Sequence, residues 1–270
     1  MSGSTAKKSL GQNFLVDNGI VSKIITSVSP RLGETIVEIG PGKGAITDRL
    51  LASGATVIAI ELDRLLVPRL REQYSSVKNL TVIEADALSV NYREFLSNDS
   101  APLRLVANLP YYISTAILQR LIEFANVFSD LTLMFQKEVV ERIIAQPRNR
   151  ERGFLTVFVE MYFRAEKLFD VPPSAFLPVP KVTSAVVRLL PRSSPLPDIQ
   201  VFRSLASRAF AMKRKTLFNN LGRELTDAQA AFERAEVDPT RRAETLDRSE
   251  WLALYTSFAE FHDHSQVPGE

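Results

Sequence analysis

Short apolar runs alternate with amphipathic stretches between residues 35 and 135, and this alternation limits the fold more than any other feature. TIVEI (35–39), TVIAIE (56–61), LTVIEA (80–85), LRLVA (103–107) and LTLMF (131–135) each read as a strand buried on both faces. ITDRLLASG (46–54), RLLVPRLREQY (64–74) and residues 115–125 read as helices between them. The pattern predicts an α/β fold, a Rossmann-like parallel sheet covered on both sides. VTSAVVRLL (182–190) predicts a late strand that could run antiparallel. PRSSPLPD (191–198) has the Pro/Ser composition of a linker, and residues beyond it carry helical periodicity without a convincing strand. The expected division is a ligand-binding domain over 1–190, a linker over 191–198 and a small all-helical domain over 199–270.

In a parallel sheet, ligands gather at the carboxyl ends of the strands. EIGPGKGAIT (38–47) places Gly40, Gly42 and Gly44 between the first strand and the following helix. Glycine lets a ligand approach the backbone closely. The spacing Gly40-x-Gly42-x-x-Ala45 meets the loose dinucleotide fingerprint, whereas Lys43 lacks the Gly-Lys-Ser/Thr arrangement of a P-loop. Glu61 ends the second strand and can take both ribose hydroxyls. Asp86, in EADAL (84–88), is placed to reach an adenine amino group. Together these residues read as an adenosine site, which NAD, FAD and S-adenosylmethionine all satisfy.

The fourth strand narrows the choice. It runs into Asn108, Leu109, Pro110 and Tyr111 on the same rim. An exocyclic amine of a nucleobase is a poor nucleophile because its lone pair is delocalised into the ring. The Asn108 amide oxygen and the Leu109 carbonyl could each accept one N–H and free that lone pair for attack on a methyl sulfonium. Pro110 has no N–H and holds Leu109 extended. Tyr111 offers a face on which an extruded base can stack. The bland alternative is a capped helix start with core tyrosines, and the position at a ligand-binding rim weighs against it.

Composition removes other classes. There is no cysteine, and the two histidines, His262 and His264, lie near the C-terminus, so neither disulfides nor a thiolate or histidine metal site is expected. No run of about 18 apolar residues suggests a membrane span, and the N-terminus lacks the apolar core of a signal peptide. A setting in the cytoplasm or an organelle matrix is expected, with the cytoplasm preferred. Net charge is only +2, but the basic residues cluster. Arg203, Arg208, Lys213, Arg214, Lys215 and Arg223 fall in a stretch without an acid. Arg148, Arg150 and Arg152 form a second cluster, and Lys7 and Lys8 a third. With Phe210 and Phe218 spaced to dock a helix, the C-terminal cluster reads as a nucleic-acid face.

These motifs, in this order, closely resemble the small-subunit ribosomal RNA adenine dimethyltransferases of the KsgA group. KKSLGQNFL (7–15), EIGPGKGAIT (38–47), NLPYYISTAIL (108–118), QKEVVERIIA (136–145), PPSAFLPVPKVTSAVVRL (172–189), KRKTLFNNL (213–221) and RAETL (242–246) carry the resemblance, with Glu61 and EADAL between them. It implies a class I methyltransferase sheet with a small helical C-terminal domain. The implied activity is transfer of methyl groups from S-adenosylmethionine to N6 of two adjacent adenosines near the 3′ end of small-subunit rRNA. The implied partner is the pre-small-subunit ribosomal particle, and the chain is expected to act as a monomer. The resemblance further implies that Asn13 and Leu15 contact the cofactor beside Gly40, Gly42, Glu61, Asp86 and Asn108, and that Phe176 faces Tyr111 across the target base. Lys7, Lys8, Arg148, Arg150, Arg208, Lys213, Arg214 and Lys215 are the expected RNA contacts. One departure stands out. Members often carry Lys-Ala-Tyr-Gly where this chain has Glu151, Arg152, Gly153 and Phe154. The alternatives are a large-subunit rRNA methyltransferase, a non-enzymatic assembly or transcription factor on the same fold and, more distantly, an NAD-dependent dehydrogenase.

Overall fold

The computed structural model describes residues 12–96, 101–193, 197–222 and 228–264, with side chains described as far as 258. Lys7, Lys8 and Arg223 therefore lie outside the described residues, as does part of the expected linker. In chain order the elements are β1 (Phe14–Leu15), α1 (Asn18–Val28), β2 (Thr35–Ile39), α2 (Thr47–Ala52), β3 (Thr56–Glu61), α3 (Val67–Gln73), β4 (Leu80–Glu84), β5 (Leu103–Asn108) and α4 (Ser114–Ile122). They continue with β6 (Phe128–Gln136), α5 (Lys137–Ile143), α6 (Phe154–Tyr162), β7 (Phe163–Val171), β8 (Phe176–Leu177), β9 (Ser184–Pro191), α7 (Ile199–Ala209), α8 (Leu217–Leu221), α9 (Ala228–Arg234) and α10 (Arg248–His264).

The chain divides into two compact units, one of residues 1–140 with 165–191 and one of 141–164 with 192–270. Residues 141–164 group with the C-terminal helices and not with the sheet.

The first unit is built on a seven-stranded sheet of order β4-β3-β2-β5-β6-β9-β7. β4, β3, β2, β5 and β6 run parallel, and β9 is antiparallel to β6. The strand order reverses between β2 and β5, so their carboxyl ends flank a crevice. Ile39 is in register with Ala107, which sets Gly40 beside Asn108. All five strands read from the sequence between 35 and 135 are present. β7 was not anticipated. Its sequence, FRAEKLFDV, mixes charge into a partly exposed strand at the sheet edge, where one solvated face removes the need for a continuous apolar run.

An N-terminal arm is tied to this unit by a two-stranded antiparallel sheet in which Phe14 pairs with Leu177 and Leu15 with Phe176. The Val16 and Asp17 N–H groups both donate to the Ala175 carbonyl. Asp17 then caps α1, accepting from Gly19 N at 2.7 Å and Ile20 N at 3.0 Å. Such a cap is worth about 1 kcal/mol. Leu15 and Phe176 are buried in one cluster with Ile20, Ile24 and Val186, and a side chain of that size contributes about 1.5–3 kcal/mol when fully buried. The arm is therefore a built part of the fold.

The second unit is helical, as expected for its C-terminal part. Trp251 is fully buried, with Phe202 edge-on at 6.1 Å and Phe210 stacked at 5.8 Å. Phe210 thus docks its segment, but Phe218 is 45 % exposed.

Candidate active site

The crevice between the ends of β2 and β5 is a cavity lined by the glycine loop, Glu61, the arm and the Asn-Leu-Pro-Tyr segment. Gly40 and Gly42 have φ of 70° and 60°, the left-handed region that favours glycine. At Gly42 a Cβ would sit 3.1 Å from the Phe14 ring, so a side chain there would push against the arm. The Gly42 N–H donates to Glu61 Oε2 at 3.2 Å, and the Asp63 N–H donates to Oε1 at 2.9 Å. Each carboxylate oxygen takes one backbone donor, which fixes the group and leaves each oxygen a further lone pair for a ribose hydroxyl. Burial pushes the Glu61 pKa up, against the pull of the Asp63 and Gly42 N–H groups.

Glu38 is a cavity residue that sequence reasoning did not single out. It is 2 % exposed and accepts from Thr47 Oγ1 at 2.6 Å. Burial raises its pKa to about 7, with the Thr47 hydroxyl pulling the other way and Glu61 and Asp48 adding to the rise. A buried carboxyl that lines a cavity and has a raised pKa marks a functional site, and a cation beside it would favour its charged form. The sequence did hold a signal, because an acid inside the apolar run TIVEI must find a partner once that strand is central.

Asn108 ends β5, and its Nδ2 donates to the Asn13 carbonyl at 3.3 Å. That contact uses the donor end of the amide and leaves Oδ1 as the end that can accept from a ligand. Leu109 and Pro110 line the same cavity. The Tyr111 hydroxyl and Ser184 Oγ are hydrogen-bonded at 2.6 Å, which fixes the ring. Burial pushes the Tyr111 pKa up, so the phenol stays neutral. Tyr112 also lines the cavity and is 61 % exposed.

Of the site residues expected from sequence, the structure brings together Asn13, Leu15, Gly40, Gly42, Glu61, Asn108, Leu109, Pro110 and Tyr111. Asp86 and Phe176 are not among the lining residues. Asp86 accepts from Leu88 N at 2.9 Å in the loop after β4. Phe176 is 2 % exposed and lies opposite Leu15.

The basic residues divide. Lys213, Arg214 and Lys215 are exposed on the turn between α7 and α8, and Arg148 and Arg150 are exposed as well. Arg208 is half-covered, with Nε and Nη2 buried. Arg152 does not share its neighbours' exposure. Its side chain is fully buried, pairs with Glu160 at 2.5 Å and donates to the Ala145 and Leu246 carbonyls at 2.9 Å. A cation with that many internal acceptors is a structural cross-link, which corrects its place in the second basic cluster.

S-adenosylmethionine fits the residues present. The glycines leave room for close approach, Glu61 presents two oxygens at a strand end, and the buried Glu38 carboxyl would be stabilised in its charged form by a cation bound in the cavity it lines. Protonation of Glu38 should therefore oppose binding of a cationic donor. Donor affinity is expected to fall by up to tenfold per pH unit as the pH drops below about 7, because one proton is then displaced on binding. Without donor the sign reverses. The raised pKa gives stability that is fully present below the unfolded value of 4.5 and is lost as the pH rises through about 7. Isothermal titration from pH 6 to 8 measures the first effect, and E38Q should flatten it.

The chain matches the family described as Ribosomal RNA adenine dimethylase over residues 3–260. It is 44% identical over 257 residues to a ribosomal RNA small subunit methyltransferase A from Aromatoleum aromaticum, covering 94% of each chain. A protein of the same name from Hahella chejuensis is 42% identical over 255 residues, covering 93% of this chain and 92% of the relative. Among solved structures, a dimethyladenosine transferase from Plasmodium falciparum superposes with a TM-score of 0.79 at 28% identity, over 92% of this chain and 98% of that one. The 23S rRNA methyltransferase ErmE superposes with a TM-score of 0.67 at 27% identity, over 92% of this chain and 100% of that one. The resemblance first carried by the Gly-rich and Asn-Leu-Pro-Tyr motifs extends over nearly the whole length, and the chain belongs to the ribosomal RNA adenine dimethylase family.

Proposed function

We propose that the chain transfers methyl groups from S-adenosylmethionine to N6 of two adjacent adenosines near the 3′ end of small-subunit rRNA. It acts in the cytoplasm, as a monomer, on a pre-small-subunit ribosomal particle. The observation that carries this reading is the Asn108 amide, anchored through Nδ2 to the arm beside Leu109 and Tyr111.

The bound donor supplies an electrophilic methyl group. The chain supplies the geometry. Asn108 Oδ1 and the Leu109 carbonyl each accept one N–H of the adenine amine, which draws its lone pair out of conjugation and into line. The amine nitrogen would gain the methyl as the donor's methyl–sulfur bond breaks, leaving S-adenosylhomocysteine, and its proton would then pass to water. The Tyr111 ring, held by Ser184, stacks on the extruded base, an interaction worth about 1–3 kcal/mol. Asp86 would meet the adenine end of the bound donor, and Phe176, 2 % exposed here, would have to be uncovered before it could meet the other face of the target base. Lys213, Arg214 and Lys215, with Lys7, Lys8, Arg148, Arg150 and Arg208, hold RNA phosphates.

The test is methylation of purified small and large ribosomal subunits side by side, followed by nuclease digestion and mass spectrometry. The expected product is dimethyladenosine at two adjacent positions in small-subunit rRNA. Label confined to large-subunit rRNA would overturn the substrate assignment, and label in neither would overturn the activity.

A further inference from the structure

In the helical unit, α6 ends at Tyr162 among three arginines. Arg192 Nε donates to the carbonyls of Glu160 at 2.9 Å and Phe163 at 3.2 Å. Arg248 Nη2 donates to the Met161 carbonyl at 3.4 Å. Arg164 stands two residues past the helix end, in β7, with its side chain exposed and making no hydrogen bond or ion pair among the described residues.

A helix C-terminus presents roughly half a negative charge, enough to account for one cation. Three are present. Glu160, the carboxylate that acts on Arg192, is already held by the buried Arg152 at 2.5 Å. Burial first, then the like charges of Arg248 and Arg164, hold the Arg192 pKa below its ordinary value, with Glu160 opposing them. Capping explains Arg192 Nε and Arg248 Nη2. It leaves the terminal nitrogens of Arg192 without an acceptor among the described residues, and it gives Arg164 no part. Forked donors at neighbouring positions match successive phosphates of a nucleic acid backbone.

We propose that Arg164, Arg192 and Arg248 form a phosphate-binding patch that grips the RNA backbone, additional to the Lys213–Lys215 turn. The proposal rests on the reading of ribosomal RNA as substrate. The excess charge at the helix end is relieved when phosphates arrive, and the two capping bonds hold Arg192 and Arg248 ready for them.

Arg164 is the clean position to vary because its exposed side chain makes no hydrogen bond or ion pair among the described residues. Binding of purified small ribosomal subunits is measured against salt for the wild type, R164Q, R164E and R164K. R164Q should weaken binding about three- to tenfold and lower the slope of log K against log salt by about 0.7–0.9, the share of one phosphate. R164E should weaken it further, and R164K should restore most of the slope. Affinity for S-adenosylmethionine should be the same in all four. Neutralising Lys213, Arg214 and Lys215 together should add to the R164Q effect, as independent contacts do. Unchanged affinity and slope in both R164Q and R164E, with wild-type binding intact, overturns the patch alone. Wild-type protein that binds no small subunits overturns the substrate reading and the patch with it.

Discussion

Asn108→Ala should lower the single-turnover rate of methyl transfer by about 10²–10³-fold, the usual scale for losing one preorganised hydrogen bond to a reacting group. Donor affinity should change by only a few-fold. The reasoning follows from the two ends of the amide. Nδ2 is spent on the Asn13 carbonyl and serves to orient the group. Oδ1 is left to accept from the substrate amine, where the contact strengthens as the nitrogen turns tetrahedral. An interaction made mainly in the transition state is lost from kcat and not from ground-state binding. Rapid-quench kinetics at saturating donor and RNA, with donor Kd measured separately, resolve the two. Equal loss of rate and donor affinity would argue against the role of Asn108 on the substrate amine.

Glu61→Ala should have its large effect on the other partner. Glu61 is held by the Gly42 and Asp63 N–H groups with its oxygens spread toward the cavity. Two charge-assisted hydrogen bonds to a ribose, at about 1.5–3 kcal/mol each, correspond to roughly a 10²–10⁴-fold loss of donor affinity. The variant should also melt lower without donor, because it leaves two N–H groups at the crevice unpaired. The turnover rate at saturating donor should fall far less than in Asn108→Ala. Titration calorimetry with S-adenosylmethionine checks the affinity, and a Kd within threefold of wild type would place the ribose elsewhere.

The sheet and its rim were readable because parallel strands buried on both faces leave an apolar signature, and the ends of such strands meet in space wherever the strand order reverses. Gly40, Glu61 and Asn108 are far apart in the chain and line one cavity for that reason. The arm was harder to read. β1 and β8 are two residues each, too short for any periodicity, and their pairing joins Phe14 to Leu177 across most of the catalytic unit. Only the family resemblance pointed to Asn13 and Leu15. Chain order places residues 141–164 with the sheet, yet their apolar helix α6 packs with α7 and α10. Arg152 shows the limit of reading charge locally. It sits in a run of exposed arginines and is itself buried, because distant carbonyls at Ala145 and Leu246 meet it there. Glu38 escaped notice for the converse reason, an acid hidden in an apolar strand whose partner, Thr47, comes from the next helix.

The grip of Asn108 on the adenine amine is tested most directly by a crystal structure of the chain with S-adenosylhomocysteine and an RNA carrying the target adenosines. The expected result is an extruded adenine on the Tyr111 ring, with N6 about 2.7–3.2 Å from both Asn108 Oδ1 and the Leu109 carbonyl. An adenine bound elsewhere, or one whose N6 faces away from both oxygens, contradicts it.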